Sequence, residues 1–442
     1  MDRVTDRAPA SPSLAPLLSA EGQALLAELR DHDPADELAL ATRLRRDHPA
    51  ELVSAALAQA RLRQRAVAKF GATDAYRMYF TPNGVEQATR GSVAAYRAVR
   101  FRALAAPADG DAPRVTDLCC GIGGDAIELA RAGFAVSAVD LDPLTCEMAR
   151  TNVRTLAPGA PPVTVTRADV LEYDLTGAGT LFIDPARRGG RGRIFDPEAY
   201  SPPLSWAVEA VRRVGAGAIK IAPGIPHELV PDDFEAEWIS DGGDVKEAVL
   251  WHAVDRAPEP PTPSSTASLT PSATSPAPVT PGTRRATLLS PRAPTDAPIT
   301  LTGRGLPDPP VRTVGRFLYE PDGAVIRAHL VAEVAEELDG GLIDETIAYV
   351  TADGLRPTPY ATAYEITDEL PFNLKKLKAL LRAREVGVLT VKKRGSAVEP
   401  EELRRRLKLK GPHTATVFLT RVAGAPTMLL GHPATAPGDS AE

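Results

Sequence analysis

From Leu17 to about Leu104 apolar residues return at helical spacing. In 51–70, Leu52, Ala56, Leu57, Ala60 and Val67 recur, with Arg61, Arg63 and Arg65 interleaved; in 83–101, Val85, Ala88, Val93, Ala94 and Phe101 do the same. That period predicts amphipathic helices, and Asp33-Pro34 supplies an N-cap with a first-turn proline. From Pro113 the pattern changes. Short apolar runs at Val115–Cys120, Phe134–Val139, Val163–Val165, Leu181–Ile183 and Ala218–Ile221 predict strands, and Asp125–Ala132, Leu144–Leu156 and Leu204–Val214 predict helices between them. Strand and helix in alternation mean a parallel sheet covered on both faces. Further strands are expected at Glu237–Ile239, Ala248–Trp251 and Ala286–Leu289. From Val311 a small α+β unit is expected. Its helices are Gly323–Leu338, Asn373–Arg384 and Glu399–Leu409, and its strands Ile347–Val350, Val388–Lys392 and Ala415–Thr420.

Composition sharpens the borders. Residues 257–283 hold eight Pro and eleven Ser/Thr with one charge, Glu259. Such a stretch cannot bury enough apolar surface to offset its ordering entropy, which predicts a semi-extended linker or insert. The expected organisation is a disordered start at 1–16, a helical unit at 17–106 and an α/β core at 107–256. The core is completed by a strand near 284–290, ahead of the small unit at 311–432 and a disordered tail at 433–442. No internal repeat is visible. Three cysteines, Cys119, Cys120 and Cys146, exclude a disulfide framework and a four-Cys zinc site. They suit a reducing compartment. The opening Met1–Asp6 carries acids and lacks the apolar segment of a secretory signal. A cytoplasmic protein without a metal or a membrane span is the expectation.

Charge is uneven. The chain is −6 overall with 51 Lys+Arg and 57 Asp+Glu, but residues 371–413 carry seven Lys, six Arg and four Glu. That window is therefore +9 and the remainder −15. A basic patch on an acidic protein points to a polyanionic partner at that patch.

The densest motif is Val115-Thr116-Asp117-Leu118-Cys119-Cys120-Gly121-Ile122-Gly123-Gly124-Asp125-Ala126. A strand ends in a glycine-rich turn that opens a helix, so backbone can approach a ligand closely and free N–H groups face it. Asp140 ends the next strand, where a carboxylate can accept from both hydroxyls of a ribose. The spacing resembles the first motif of class I S-adenosylmethionine-dependent methyltransferases. The resemblance implies a Rossmann-like sheet with S-adenosyl-L-methionine as methyl donor. Carried over by position, Cys120, Gly121 and Gly123 form the loop and Asp117 sits at the methionine end. Asp140 and Leu141 lie at the ribose and Asp169 faces the adenine.

At the fourth strand, Asp184-Pro185 resembles the start of the Asp/Asn/Ser-Pro-Pro-aromatic motif of enzymes that methylate exocyclic base amines. There the acid and a proline carbonyl orient the amine. The match stops at Ala186 and Arg187, where that motif has proline and an aromatic. Arginine can stack on a base or clamp a phosphate, so Arg187 and Arg188 are candidate substrate contacts, as is Lys220 at the end of the fifth α/β strand. Cys119 and Cys120 are expected to pack rather than react. Upstream, Phe80-Thr81-Pro82-Asn83 resembles the segment that covers the donor in trimethylguanosine synthase and its guanine-N2 relatives, which places Phe80 and Thr81 near the cofactor; Thr81-Pro82 also suits a helix start.

Tyr319–Ala328, Leu374–Lys378 and Leu389–Gly395 resemble the THUMP-like domain that ends a bacterial methyltransferase family. That resemblance implies an RNA partner, rRNA or tRNA, held by Lys375, Lys376, Lys392, Lys393 and Arg394. Taken together, the expected protein is an α/β methyltransferase acting on RNA at a base amine, with Asp184 and Pro185 as catalytic residues. Two other readings stay open: methylation of a small molecule or protein, and a silent module that binds donor or RNA without transfer.

Overall fold

The computed structural model describes residues 14–104, 111–186, 188–189, 192–193, 196–254, 278–289 and 297–434. Most of the Pro/Ser/Thr-rich stretch and of the two terminal segments expected to be disordered lie outside them. The chain forms two compact units. One comprises Met1–Phe234 and Val249–Pro281, the other Glu235–Ala248 and Gly282–Glu442. Among the described residues no helix is long and apolar enough to cross a membrane.

The first unit opens with one helical turn at Ala15–Leu18, which begins inside the stretch expected to be disordered and buries Leu14 and Leu17, followed by helices α1 (Ala20–Glu28), α2 (Glu37–Leu44), α3 (Ala50–Ala75), α4 (Pro82–Gln87) and α5 (Gly91–Leu104). Asp33 accepts a hydrogen bond from the Ala35 N–H ahead of α2, as its position before Pro34 predicts. The α/β part runs β1 (Arg114–Leu118), α6 (Gly124–Arg131), β2 (Ala135–Asp140), α7 (Pro143–Leu156), β3 (Val163–Arg167), β4 (Thr180–Ile183), α8 (Leu204–Val214) and β5 (Ala216–Ile221). The strands stand in the order β3–β2–β1–β4–β5, parallel throughout. Sheets of this kind are buried on both faces, which is why β4 is apolar without alternation and wholly buried.

The helical part supplies an unexpected joint. The extended backbone at Tyr79 and Phe80 has no neighbouring strand, and two side-chain amides take that role. Gln59 of α3 donates to the Phe80 carbonyl at 2.7 Å and accepts from its N–H at 3.0 Å. Asn152 of α7 accepts from the Tyr79 N–H at 2.7 Å and donates to the carbonyls of Tyr79, at 3.0 Å, and Ile122, at 2.9 Å. Buried backbone groups must be paired, and these amides pair them. The arginines interleaved in 51–70 divide, Arg61 and Arg65 being exposed. Arg63 is buried and donates to the Met78 carbonyl. Arg97 and Arg100 are buried over the rings of Phe182 and Trp251, at 4.5 and 4.6 Å. Aromatic faces can compensate a buried guanidinium.

The second unit contains β6 (Glu235–Asp241), β8 (Arg284–Leu289) and β9 (Ile299–Thr302), with residues 244–248 of β7 (Asp244–Ala253) beside β6. Its larger sheet is built from β10 (Phe317–Pro321), β11 (Gly341–Asp344), β12 (Ile347–Ala352), β13 (Ala361–Pro371), β14 (Val386–Lys393), β15 (His413–Val422) and β16 (Ala425–Pro433), in the order β11–β12–β10–β13–β16–β15–β14. Helices α9 (Gly323–Arg327) and α10 (Val331–Glu337) follow β10, α11 (Leu374–Ala383) follows β13, and α12 (Pro400–Leu407) joins β14 to β15. That pair is parallel and needs such a crossover. Residues alternate across the sheet. Val417, Leu419, Met428 and Leu430 pack with α11 and α12, whereas Phe418 and Leu429 pack with Tyr349 and Tyr364 on the other face.

Two expectations for this unit need correcting. The single helix expected at Gly323–Leu338 is two, because His329 takes a left-handed φ of 58° and Leu330 donates back to Val325, closing α9. Strands β10, β11, β13 and β16 were not expected, although Phe317-Leu318-Tyr319 in β10 and Met428-Leu429-Leu430 in β16 are buried apolar runs. In β13 acids and threonines interrupt the pattern, since much of that strand is only half-buried.

Candidate active site

Adjacent strands of the first unit end in acids: Asp117 in β1, Asp140 in β2 and Asp184 just past β4, with Asp169 following β3. The turn after β1 is tight because three residues within five adopt left-handed φ: Cys119 at 62°, Gly121 at 55° and Gly123 at 83°. A side chain at Gly123 would meet the Ala149 backbone at 3.3 Å, while nothing lies within 4 Å of the space a Cβ on Gly121 would enter. One glycine is thus required by packing and the other leaves room above the loop.

Asp117 is the outlier. It is fully buried, and neither carboxylate oxygen has a hydrogen-bond partner among the described residues. Burial, reinforced by Asp125 and Asp184 and only partly opposed by Arg97, pushes its carboxyl well above the usual range. A buried acid without partners is costly, and such groups cluster where a ligand supplies what is missing. Asp140 is better satisfied. Its oxygens accept from the N–H groups of Gly121 and Asp142, both at 3.0 Å; burial raises its carboxyl and these bonds hold it down in part. Asp169 accepts from the Leu171 N–H at 3.0 Å. Leu141, next after Asp140, and Leu171, two positions after Asp169, are 62% and 54% exposed. Burial and the surrounding acids push the Cys119 and Cys120 thiols well up, away from the thiolate form.

Asp184 differs from the other acids in having a cation. Lys220 of β5, 4% exposed, places Nζ 2.6 Å from Asp184 Oδ2 and also donates to Thr89 Oγ1 at 2.9 Å. Thr89 is itself buried, between α4 and α5. Pro185 is buried beside Asp184. Arg187, and the side chain of Arg188, lie outside the described residues.

The remaining expected site residues fall into two groups. Phe80 is 1% exposed, its ring 5.7 Å from that of Phe70. Thr81 accepts from the Gly84 N–H at 2.8 Å and so caps α4. Both adjoin the loop through Asn152, which joins Tyr79 to Ile122. In the second unit Lys375 and Lys376 are exposed on α11, where Asn373 caps the helix. Lys392 and Arg394 instead converge on one acid, Glu320, and lie over the rings of Tyr364 and Tyr349. Lys393 pairs with Glu399 at 2.6 Å. Thr89, Gln59 and Asn152 were not expected at the site. Single polar residues on helices carry no spacing signal that separates a joint from a solvated face.

The acids, the open space over Gly121 and the exposed leucines fit S-adenosylmethionine, which brings an ammonium, a ribose diol and an adenine. Comparison with known proteins agrees. The THUMP domain-like family matches residues 361–433, and a domain of unknown function matches residues 11–66. A crystal structure from Porphyromonas gingivalis W83, described as a methyltransferase, shares the fold at a TM-score of 0.70 and 19% identity, over 93% of this chain and 98% of that one. Two curated proteins of Mycobacterium tuberculosis, from strains CDC 1551 and H37Rv, are each named as an uncharacterized S-adenosylmethionine-dependent methyltransferase. Each is 32% identical over 368 residues, covering 82% of this chain and 90% of its own length. With that extent of identity added to the acid-lined edge of a parallel sheet, the chain belongs to the S-adenosylmethionine-dependent methyltransferases, of the class I fold with a THUMP-like domain toward its C-terminus.

Proposed function

We propose that this methyltransferase acts on RNA, rRNA or tRNA, at the exocyclic amine of a base. Bound S-adenosylmethionine supplies a methyl group already activated by its sulfonium, so the protein's task is placement and exclusion of water rather than strong base catalysis. In this reading Asp117 takes the donor's ammonium, Asp140 its ribose and Asp169 its adenine amine. Leu141 flanks the adenine ring, and Cys120, Gly121 and Gly123 offer backbone. Phe80 and Thr81 hold the neighbouring segment against the loop. Asp184 and the Pro185 carbonyl accept from the acceptor amine, and Arg187 and Arg188 hold base or phosphate.

The observation that carries the RNA reading lies in the second unit. Lys375, Lys376, Arg382, Arg405, Lys408 and Lys410 are exposed and take part in no ion pair among the described residues. They sit on or just beyond α11 and α12, two helices that cover the same face of one sheet and touch where Lys378 donates to the Arg406 carbonyl. Cations left free on one layer suit a phosphate backbone, which gives affinity without sequence choice. The test is tritiated methyl incorporation into an extract of a strain lacking this protein, fractionated afterwards. Label in RNA, lost on nuclease digestion, supports the reading; label confined to protein or small molecules overturns it.

A further inference from the structure

We propose that Lys220 is a positioning residue for the acceptor site. Together with Thr89 it holds Asp184 in one orientation, so that Oδ1 alone is offered to the incoming amine. The inference rests on the reading above in placing the acceptor at Asp184.

A lysine is an expensive residue at this point. Ala218, Ile219 and Ile221 of the same strand are apolar and buried, and packing alone would accept another aliphatic side chain. Instead the ammonium is enclosed and two of its N–H groups are committed, one to Asp184 Oδ2 and one to Thr89 Oγ1. An enclosed, committed ammonium cannot reach a phosphate on a bound substrate, so its influence on the reaction runs through Asp184. Asp184 keeps 22% of its side chain exposed, and Oδ1 takes no protein hydrogen bond among the described residues. One oxygen is therefore anchored and the other free.

The charge around the pair explains why a cation stands there. Among the described residues, Lys220 from β5 and Asp117 and Cys119 from the end of β1 are titratable groups that interact with Asp184. Asp117 is already a buried acid without partners. Asp184 adds to the negative charge that disfavours an ionised Asp117, and Lys220 is the cation that stands within ion-pair distance of Asp184 among the described residues. Thr89 fixes where the ammonium stands. It ties the turn between α4 and α5 to the reacting edge, so the helical N-terminal part contributes to acceptor geometry as well as to packing.

The experiment uses the full-length protein, the tritium assay on the deletion-strain extract, and the variants Lys220→Met, Thr89→Val and Lys220→Met/Asp184→Asn. We expect Lys220→Met to lower the transfer rate by about 100-fold while S-adenosylhomocysteine binds within about twofold of wild type. The double variant should recover about tenfold over Lys220→Met, because an amide oxygen accepts from an amine without needing a cation. Thr89→Val should lower the rate by about three- to tenfold. Thermal unfolding supplies a readout that needs no substrate. At neutral pH the midpoint of Lys220→Met should fall relative to wild type, as Asp184 loses its charge partner in a half-enclosed place, and that of the double variant should recover. A Lys220→Met defect that Asp184→Asn fails to relieve, or a midpoint that Lys220→Met leaves unchanged or Asp184→Asn does not restore, overturns the proposal. If label enters only protein or small molecules, the RNA reading falls, and the same variants decide the role of Lys220 on that acceptor. A wild-type protein that labels nothing overturns both.

Discussion

At the reacting edge of the first unit, Asp117, Asp140, Asp169 and Asp184 crowd the ends of neighbouring strands. Among the described residues the one lysine paired with them, Lys220, serves Asp184, while the Asp117 carboxylate has no hydrogen-bond partner. In the second unit the arrangement is reversed: Glu320 collects both Lys392 and Arg394, and Glu399, Glu401 and Glu402 take Lys393, Arg404 and Arg406. Both regions were marked by charge in the sequence. The structure separates charge that is cancelled internally, which builds the domain, from charge left unsatisfied, which awaits a ligand. The motif Tyr319–Ala328 and the motif Leu389–Gly395 clasp each other through Glu320. Their resemblance to a THUMP-like domain thus reflects how that unit is held together at least as much as what it binds.

The largest expected effect tests the cancelled side. Glu320→Gln leaves two half-buried cations without their acid. Removing one member of such a group costs about 3 kcal/mol, enough to lower the unfolding midpoint of a unit this size by roughly 10 °C. RNA affinity should stay the same or rise. A variant as stable as wild type would show that Glu320 is not the node of the unit.

Asp117→Asn tests the unsatisfied side and should give about 2 kcal/mol with opposite signs in two assays. The Asp117 carboxyl is raised well above 3.8 in the folded protein. The folded state therefore binds the extra proton, and unliganded stability falls as pH rises from the unfolded value through the folded one. Removing the acid should make the unliganded protein more stable at neutral pH while weakening S-adenosylhomocysteine by about tenfold or more. If the ligand's ammonium needs the anion, wild-type affinity rises with pH and binding releases a proton, measurable by calorimetry in buffers of different ionisation heat. Asp117→Asn should show neither. Equal pH dependence in both proteins would break the contrast between the two regions.

Much of this was legible in the residues. Alternating short apolar runs and amphipathic stretches predicted the strand and helix order of β1 to β5; the helix expected at Leu144–Leu156 is α7, capped where Asp142 accepts from the Thr145 N–H at 2.7 Å. The acids at the strand ends were visible because their place after an apolar run is itself the signal. Pairing was not legible. Nothing in the spacing of Lys392 or Arg394 shows that both meet Glu320, more than 70 positions earlier, and nothing in Thr89 or Lys220, 131 positions apart, shows that they touch. Nothing in the sequence singles out Gln59 or Asn152, yet each pairs backbone groups of a segment that no strand covers among the described residues. Long-range polar contacts leave no period in a sequence, whereas burial of a whole face does.

The smallest effect separates free cations from spent ones within the basic window. Lys375 and Lys376 lie exposed on α11, and each phosphate contact they make releases counterions. Replacing both by alanine should reduce the slope of log affinity against log salt by about 1.4 to 2 for bulk tRNA, and weaken binding by about 1 kcal/mol at moderate salt. Lys392→Ala with Arg394→Ala should behave differently. These side chains already neutralise Glu320, so their loss frees an acid, lowers stability and leaves the salt slope nearly unchanged apart from added repulsion. Filter binding across a salt series resolves a slope change of one. If the Lys392 and Arg394 pair carries the larger slope, RNA must displace Glu320 to bind. The spent cations would then be a reserve that the polyanion releases, and the division drawn here would hold only for the unliganded protein.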